Sequence, residues 1–192
     1  MFNFAEQVAL VTGGAAVQQY GRLDCAFNNA GIESVQAPVD NLAPDAWRRT
    51  VDSNLTGVYR CLHFEARVMR EQRHGAIVNC ASIPGVVGFA NSSAYTAAKH
   101  GVVGLTRTAA IEPGKEGVRV NAVCPASIHT PMLKRAGLTT DPVMRATMEA
   151  LHPVGRLGQR HEVADAVLWL CSSQSTFVTG HALLFDGGYV AQ

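Results

Sequence analysis

Short apolar segments that end at Gly, Pro, Asn or Ser recur along this chain, and amphipathic stretches separate them. Four read as buried parallel strands: VALVT (8–12), CAFNN (25–29), AIVNCAS (76–82) and VRVNAVCP (118–125). HALLFDGG (181–188) closes the series. Runs that are apolar on both faces and stop at turn residues belong in a sheet covered on both sides. Between them, Trp47, Val51, Leu55, Val58, Leu62, Ala66 and Met69 recur every three or four residues, which is one face of a helix. The Ala-rich stretch 92–112 reads as another helix, with Ser92 or Ser93 as its N-cap. Val163, Ala166, Val167 and Leu170 mark one over 162–172. This alternation predicts an α/β fold: a doubly wound parallel sheet, Rossmann-like, with helices on both faces, in a single domain over 1–192. The stretch 126–160 is the least regular. Its Met132, Leu133, Met144, Met148 and Leu151 read either as an apolar substrate lid or as ordinary helix packing.

Charge and cysteine usage narrow the function. Sixteen basic against 15 acidic residues leave a net charge of +1, which gives no electrostatic case for nucleic acid or an anionic membrane. No apolar run is long enough for a spanning helix, and the start MFNFAEQVALV does not read as a signal peptide. The five cysteines form no CxxC and four of them have apolar neighbours, so they read as buried free thiols of a reducing, cytoplasmic compartment. The seven histidines show no HExxH spacing, so no metal site is expected.

In an open parallel sheet, ligands bind outside the carboxyl ends of the strands. Small and polar residues gather there: Gly13 and Gly14 in VTGG, Asn28, Asn29 and Gly31 in FNNAG, Ser82 in NCAS, and Pro125 and Thr130 in CPASIHT. Thirteen residues after Ser82 comes Tyr95, and four later Lys99. Positions i and i+4 share a helix face, so both side chains can reach one place. A free phenol has a pKa of about 10 and is a poor base at neutral pH. A nearby cation favours its ionised form by about one to three units. Lys99 and an oxidised nicotinamide together would thus bring Tyr95 toward about 7. Tyr95 could then exchange a proton with an alcohol or carbonyl oxygen while hydride moves at the carbon. Ser82 would hold the same oxygen. YxxxK alone is weak evidence, since a chain of this composition shows one by chance about once in sixteen. The conjunction in chain order is what carries weight.

TGG (12–14), NNAG (28–31), Asn54 in SNLTG, Ser82, YTAAK (95–99) and FDGG (185–188) resemble the motifs of the classical short-chain dehydrogenase/reductase family over nearly the whole chain. The resemblance implies an NAD(P)-dependent oxidoreductase of secondary alcohols or ketones. Its catalytic tetrad would fall on Asn54, Ser82, Tyr95 and Lys99. Cofactor contacts would fall on Gly13, Asn29, Ala30, Gly31, Tyr95, Lys99, Pro125, Ile128 and Thr130. Lys99 would hold the nicotinamide ribose, and Asn54 a water of a proton relay. Asn54 also reads as a helix-kinking amide, because it stands beside an apolar stripe where a polar group needs partners. A homotetramer is implied, built with helices near 45–72 and 92–112. One departure is Pro125-Ala126, where the family has Pro-Gly.

The larger departure lies at the opening. The family's fingerprint is TGxxxGxG; here it is TGGAAVQQ. The helix, strand, helix, strand and helix that follow it in the family are absent. At about 30 residues per βα unit, some 60 are missing. VQQYGRLD (17–24) resembles the end of the last of those helices, with Gly21 as its stop, so the join falls near 14–18. Parallel neighbours need a crossover of about a dozen residues or more. Only Ala15 to Leu23 stand between these two strands, which favours a molecule that keeps the missing stretch over a true deletion. An extended link of about 30 Å remains possible, but it would leave a sheet edge uncovered. If the deletion is real, an inactive relative acting as a binding or assembly module is the competing reading. The choice between NAD and NADP is not legible, because the deciding residue falls in the missing stretch.

Overall fold

The computed structural model describes residues 7, 9–11, 19–135, 137–138 and 140–192. Five strands form one parallel sheet in the order of the sequence: β1 (Ala9–Val11), β2 (Cys25–Asn28), β3 (Gly75–Cys80), β4 (Val118–Pro125) and β5 (Ala182–Phe185). They match the five apolar runs to within a few residues at each end. The register sets Ala9 beside Cys25, Cys25 beside Ala76, Gly75 beside Val118 and Ala122 beside Ala182. Gly13, Gly14 and the join at 14–18 lie outside the described residues. Ahead of β2 the helical residues 19–20 end at Gly21, whose φ of +71° is the left-handed stop that the sequence calls for.

The buried strands β3 and β4 send alternate residues to opposite faces. On one face Ala26, Ile77, Val118 and Val120 pack with Leu62 and Met69, while Ala122 and Cys124 pack with Val58 and Val102. That layer is built from α1 (Pro44–Val51), α2 (Gly57–Gln72) and α3 (Ser93–Ile111). On the other face Val78 and Val123 pack with Val167 and Leu170 of α6 (Arg160–Cys171). Helices therefore cover both faces of a parallel sheet, the α/β architecture read from the sequence. All five described strands wind in one direction from β1. The half that winds the other way in a doubly wound sheet has no strand among the described residues.

Several local readings change. Residues 44–72 are one helical path broken by a wide turn over Asp52–Thr56, closed by the Gly57 N–H on the Asp52 carbonyl five residues back. Trp47 is not on the buried stripe: it stays 40% exposed, whereas Val58, Leu62 and Met69 are buried. Ser92 is the N-cap residue of α3 but makes no capping hydrogen bond; its hydroxyl pairs with Gln36 instead. Helix α6 begins earlier than expected, where Gln159 and Glu162 form a capping box. The irregular stretch holds α4 (Pro131–Arg135) and α5 (Pro142–Ala150), the latter capped by Asp141. Of the five free thiols, Cys25 and Cys124 are buried and the other three half-buried.

A polar network crosses the core just below the site. Asn28 donates to Glu65 at 2.8 Å and to Asn79 at 2.9 Å, and Asn79 donates to Thr106 at 2.9 Å. This ties β2 and β3 to the helices α2 and α3. Glu65 is 4% exposed, and burial pushes its carboxyl up to about 7, the Asn28 hydrogen bond pulling the other way. A folded-state pKa above the unfolded one means the native state holds the extra proton. Stability is then full below about 4.5 and falls as pH rises toward 7, by about 3 kcal/mol in all. Replacing Glu65 with Gln should flatten this fall. Urea unfolding at pH 5 and pH 8 checks it: wild type loses stability between the two, and the variant should not.

Candidate active site

The carboxyl ends of β2, β3 and β4 converge on Tyr95 and Lys99 of α3. The loop after β2 leaves Asn29, Ala30 and Gly31 exposed. A Cβ at Gly31 would stand 2.8 Å from Asn54 Oδ1 and 3.9 Å from Lys99 Nζ, so only glycine lets this loop lie against the site. Asn54 is fully buried in the wide turn at 52–56. Its side-chain oxygen accepts the Ile32 N–H at 2.8 Å, and its amide donates to the Ile32 carbonyl at 3.0 Å. Asn54 marks a distortion of the helix, and it clamps the NNAG loop beside the Tyr–Lys pair.

Lys99 is 4% exposed, and its ammonium donates to the Cys80 carbonyl at 2.7 Å. Burial lowers its pKa, opposed by the neighbouring Cys80 and Cys124. The ammonium stands 5.5 Å from the centroid of the Tyr95 ring. An ammonium has three donors, and among the described residues only Cys80 accepts one. Two N–H donors at a buried charge are therefore free for the hydroxyls of a ribose, which is the group that the resemblance places there.

Ser82 lies between β3 and the Tyr95 ring. Its hydroxyl donates to the Pro125 carbonyl at 3.2 Å and is also hydrogen-bonded to the Tyr95 phenol. Within the protein alone, the Tyr95 phenol is pushed up to about 12, first by burial and then by Cys80, with Ser82 the one lowering influence; the positive nicotinamide of a bound cofactor acts in the opposite direction. Burial is the largest influence, and Lys99, 5.5 Å from the ring centroid, is not among the groups that shift the phenol. Ionised Tyr95 is needed to accept a proton, so kcat/KM for alcohol oxidation should rise with pH from about 5 up to the point where the phenol of the nucleotide complex ionises. A flat profile across that range would contradict the assignment of Tyr95 as the base.

After β4, the bridge Ile128–Gly158 fixes the backbone at Ile128, which is buried. Thr130 stands at the start of α4, its hydroxyl accepting the Leu133 N–H at 3.4 Å. Pro125 is held by Ser82, and the Ala126 N–H donates to the Phe185 carbonyl at 3.1 Å, so the Pro-Ala step is accommodated in the sheet. Of the expected site residues, only Gly13 is outside the described ones.

Ser82 and Tyr95 open on a cavity of about 570 Å³. Met132, Leu133 and Met148 wall it, whereas Met144 and Leu151 do not and are exposed. Phe89, Glu33, Gln36 and Ser92 also line it, and sequence reasoning missed them as site residues. Gln36 donates to Ser92 at 2.9 Å, and Arg135 of α4 pairs with Glu33 at 3.5 Å. These groups meet only because the loop at 32–37 bridges to Ser92 through Ala37. No spacing in the chain signals that pairing.

The profile of a family described as Enoyl-(Acyl carrier protein) reductase matches residues 6–190. The cis-4-hydroxycyclohexanecarboxylate dehydrogenase of Sinomonas cyclohexanicum is 48% identical over 176 residues, covering 92% of this chain and 69% of the relative. The cyclohexanol dehydrogenase of Acinetobacter sp. (strain SE19) is 44% identical over 177 residues, 92% of this chain and 68% of that one. The crystal structure of an NAD+-bound xylitol dehydrogenase superposes with a TM-score of 0.85 at 33% identity, over 90% of this chain and 71% of that chain. The alignment shares put the Sinomonas relative at about 255 residues, some 60 more than the 192 present here. Motifs, sheet and relatives agree: this chain belongs to the classical short-chain dehydrogenase/reductase family, the NAD(P)-dependent oxidoreductases of secondary alcohols and ketones.

Proposed function

We propose that Tyr95 is the acid/base of a reversible oxidation of a secondary alcohol borne on an alicyclic ring. The carrying observation is the meeting of the Tyr95 phenol and Ser82 hydroxyl at the mouth of a largely apolar cavity, with the under-used ammonium of Lys99 buried behind them. The cavity's size admits a six-membered ring, and both relatives above are named for cyclohexane-ring alcohols. Met132, Leu133 and Met148 would cover the ring's carbon face, and Gln36 and Ser92 offer partners for a second polar substituent.

A nicotinamide bound beside Lys99 supplies the hydride acceptor. In the oxidation, Ser82 turns its donor from the Pro125 carbonyl to the reacting oxygen and holds it. Tyr95 takes the hydroxyl proton and returns it in the reverse direction. Lys99 holds the ribose with its two free N–H donors. Asn54, through both Ile32 backbone groups, keeps the NNAG loop in place and adjoins the route by which a relayed proton leaves. Asn29, Ala30, Gly31, Pro125, Ile128 and Thr130 line the nicotinamide side, and Gly13 completes the list by resemblance. The cofactor is NAD or NADP.

A cytoplasmic homotetramer fits this reading. Tyr59, Phe64 and Ile111 of α2 and α3 are exposed on the outer helix face, and a groove of about 540 Å³ runs between these helices. Light scattering in solution measures the assembly; a monomer at micromolar concentration would contradict it. The function is tested by following reduced nicotinamide formation with cyclohexanol and 4-hydroxycyclohexanecarboxylate. Turnover with neither, nor with an acyclic secondary alcohol, would refute the enzyme reading. The shortened nucleotide half favours one competitor, a binding or assembly module without catalysis, and nucleotide titration of the folded protein separates the two.

A further inference from the structure

Every described residue of the site stands on one side of β1, at the ends of β2, β3 and β4. In a fold of this kind a dinucleotide lies across two mononucleotide-binding halves, and the residue that reads the adenosine ribose comes from the half beyond the first strand. Here β1 pairs with β2, and among the described residues no strand pairs with its other edge. The chain passes from β1 to β2 through residues 12–24. That is far short of the roughly 60 residues that two further βα units need. The nicotinamide side keeps what it needs: two free donors on buried Lys99, the Tyr95 and Ser82 hydroxyls, and a close loop at Gly31 clamped by Asn54.

We infer that the cofactor site of this chain is a single mononucleotide half, which takes nicotinamide mononucleotide about as well as NAD or NADP and does not distinguish those two. The inference rests on the placement of the nicotinamide beside Lys99 given above. Its physical basis is that, among the described residues, the adenosine of a dinucleotide meets no wall of the chain. It therefore adds little binding free energy, and among the described residues a 2′-phosphate on it meets no group that could favour or reject it.

Calorimetric titration of the intact chain with nicotinamide mononucleotide, NAD and NADP tests this without turnover. The three dissociation constants should agree within about threefold, a spread of about 0.7 kcal/mol. Adenosine monophosphate should not compete with any of them. Binding of NAD or NADP more than about tenfold tighter than the mononucleotide would overturn the inference, as would a tenfold difference between NAD and NADP. Either result leaves the oxidoreductase reading intact. If the folded protein binds none of the three, the inference and the nicotinamide placement both fall. Competition by adenosine monophosphate would show an adenosine subsite and overturn the inference alone.

Discussion

Phe in place of Tyr95 should lower turnover by about 10²- to 10⁴-fold, the range that a positioned acid/base contributes. The change removes one oxygen and leaves the ring, which is half-buried on α3. Lys99 keeps its Cys80 partner and its place over the ring. Nucleotide affinity should therefore change by no more than a few-fold, and thermal stability hardly at all. The phenol's hydrogen bond to Ser82 is lost, but Ser82 still has the Pro125 carbonyl. Steady-state rates with a ring alcohol, set beside nucleotide titration of the same preparation, give both readings. Full activity in Tyr95→Phe would refute the assignment. A loss of nucleotide binding as large as the loss of rate would move Tyr95 from proton transfer to cofactor positioning.

Asn54→Ala should cost both stability and activity. The side chain is fully buried and satisfies both backbone groups of Ile32. Truncation leaves a buried donor and acceptor without partners, at about 1–3 kcal/mol each where water cannot replace the amide. A loss of about 2–4 kcal/mol in urea unfolding is expected. The NNAG loop would also come free from the Tyr–Lys pair, so kcat/KM should fall at least about tenfold, about 1.4 kcal/mol of transition-state binding. Asp at this position keeps the acceptor for the Ile32 N–H but loses the donor to its carbonyl. It should recover part of the stability. Wild-type stability and rate in Asn54→Ala would show that the clamp does nothing.

Much of this was legible in the chain because the relevant signals are local. Apolar runs of four to eight residues announce parallel strands wherever both faces are covered, and β2 to β5 appear where they were read. Tyr95 and Lys99 were found because i and i+4 on a helix is a spacing in sequence. What stayed hidden depends on contacts between distant segments. Glu65 reads as one more acid on an exposed helix, yet it lies 4% exposed against Asn28, thirty-seven positions away. Gln36 and Ser92 are 56 positions apart and meet only through a loop bridge. The burial of Tyr95 also escaped, because it is built by segments far apart in the chain.

The wide turn at 52–56 also acts as a phase shift. Each residue of an α-helix advances the direction of its side chain by about 100°. The bond from Gly57 to Asp52 closes over five residues instead of four, so one residue is taken up without advancing the next turn. Removing any single residue there would restore an unbroken helix. Either Thr50 before the turn or Val58, Leu62 and Met69 after it would then rotate off the core, and Asn54 would no longer meet Ile32. The spacing between α1 and α2 is thus an all-or-nothing quantity.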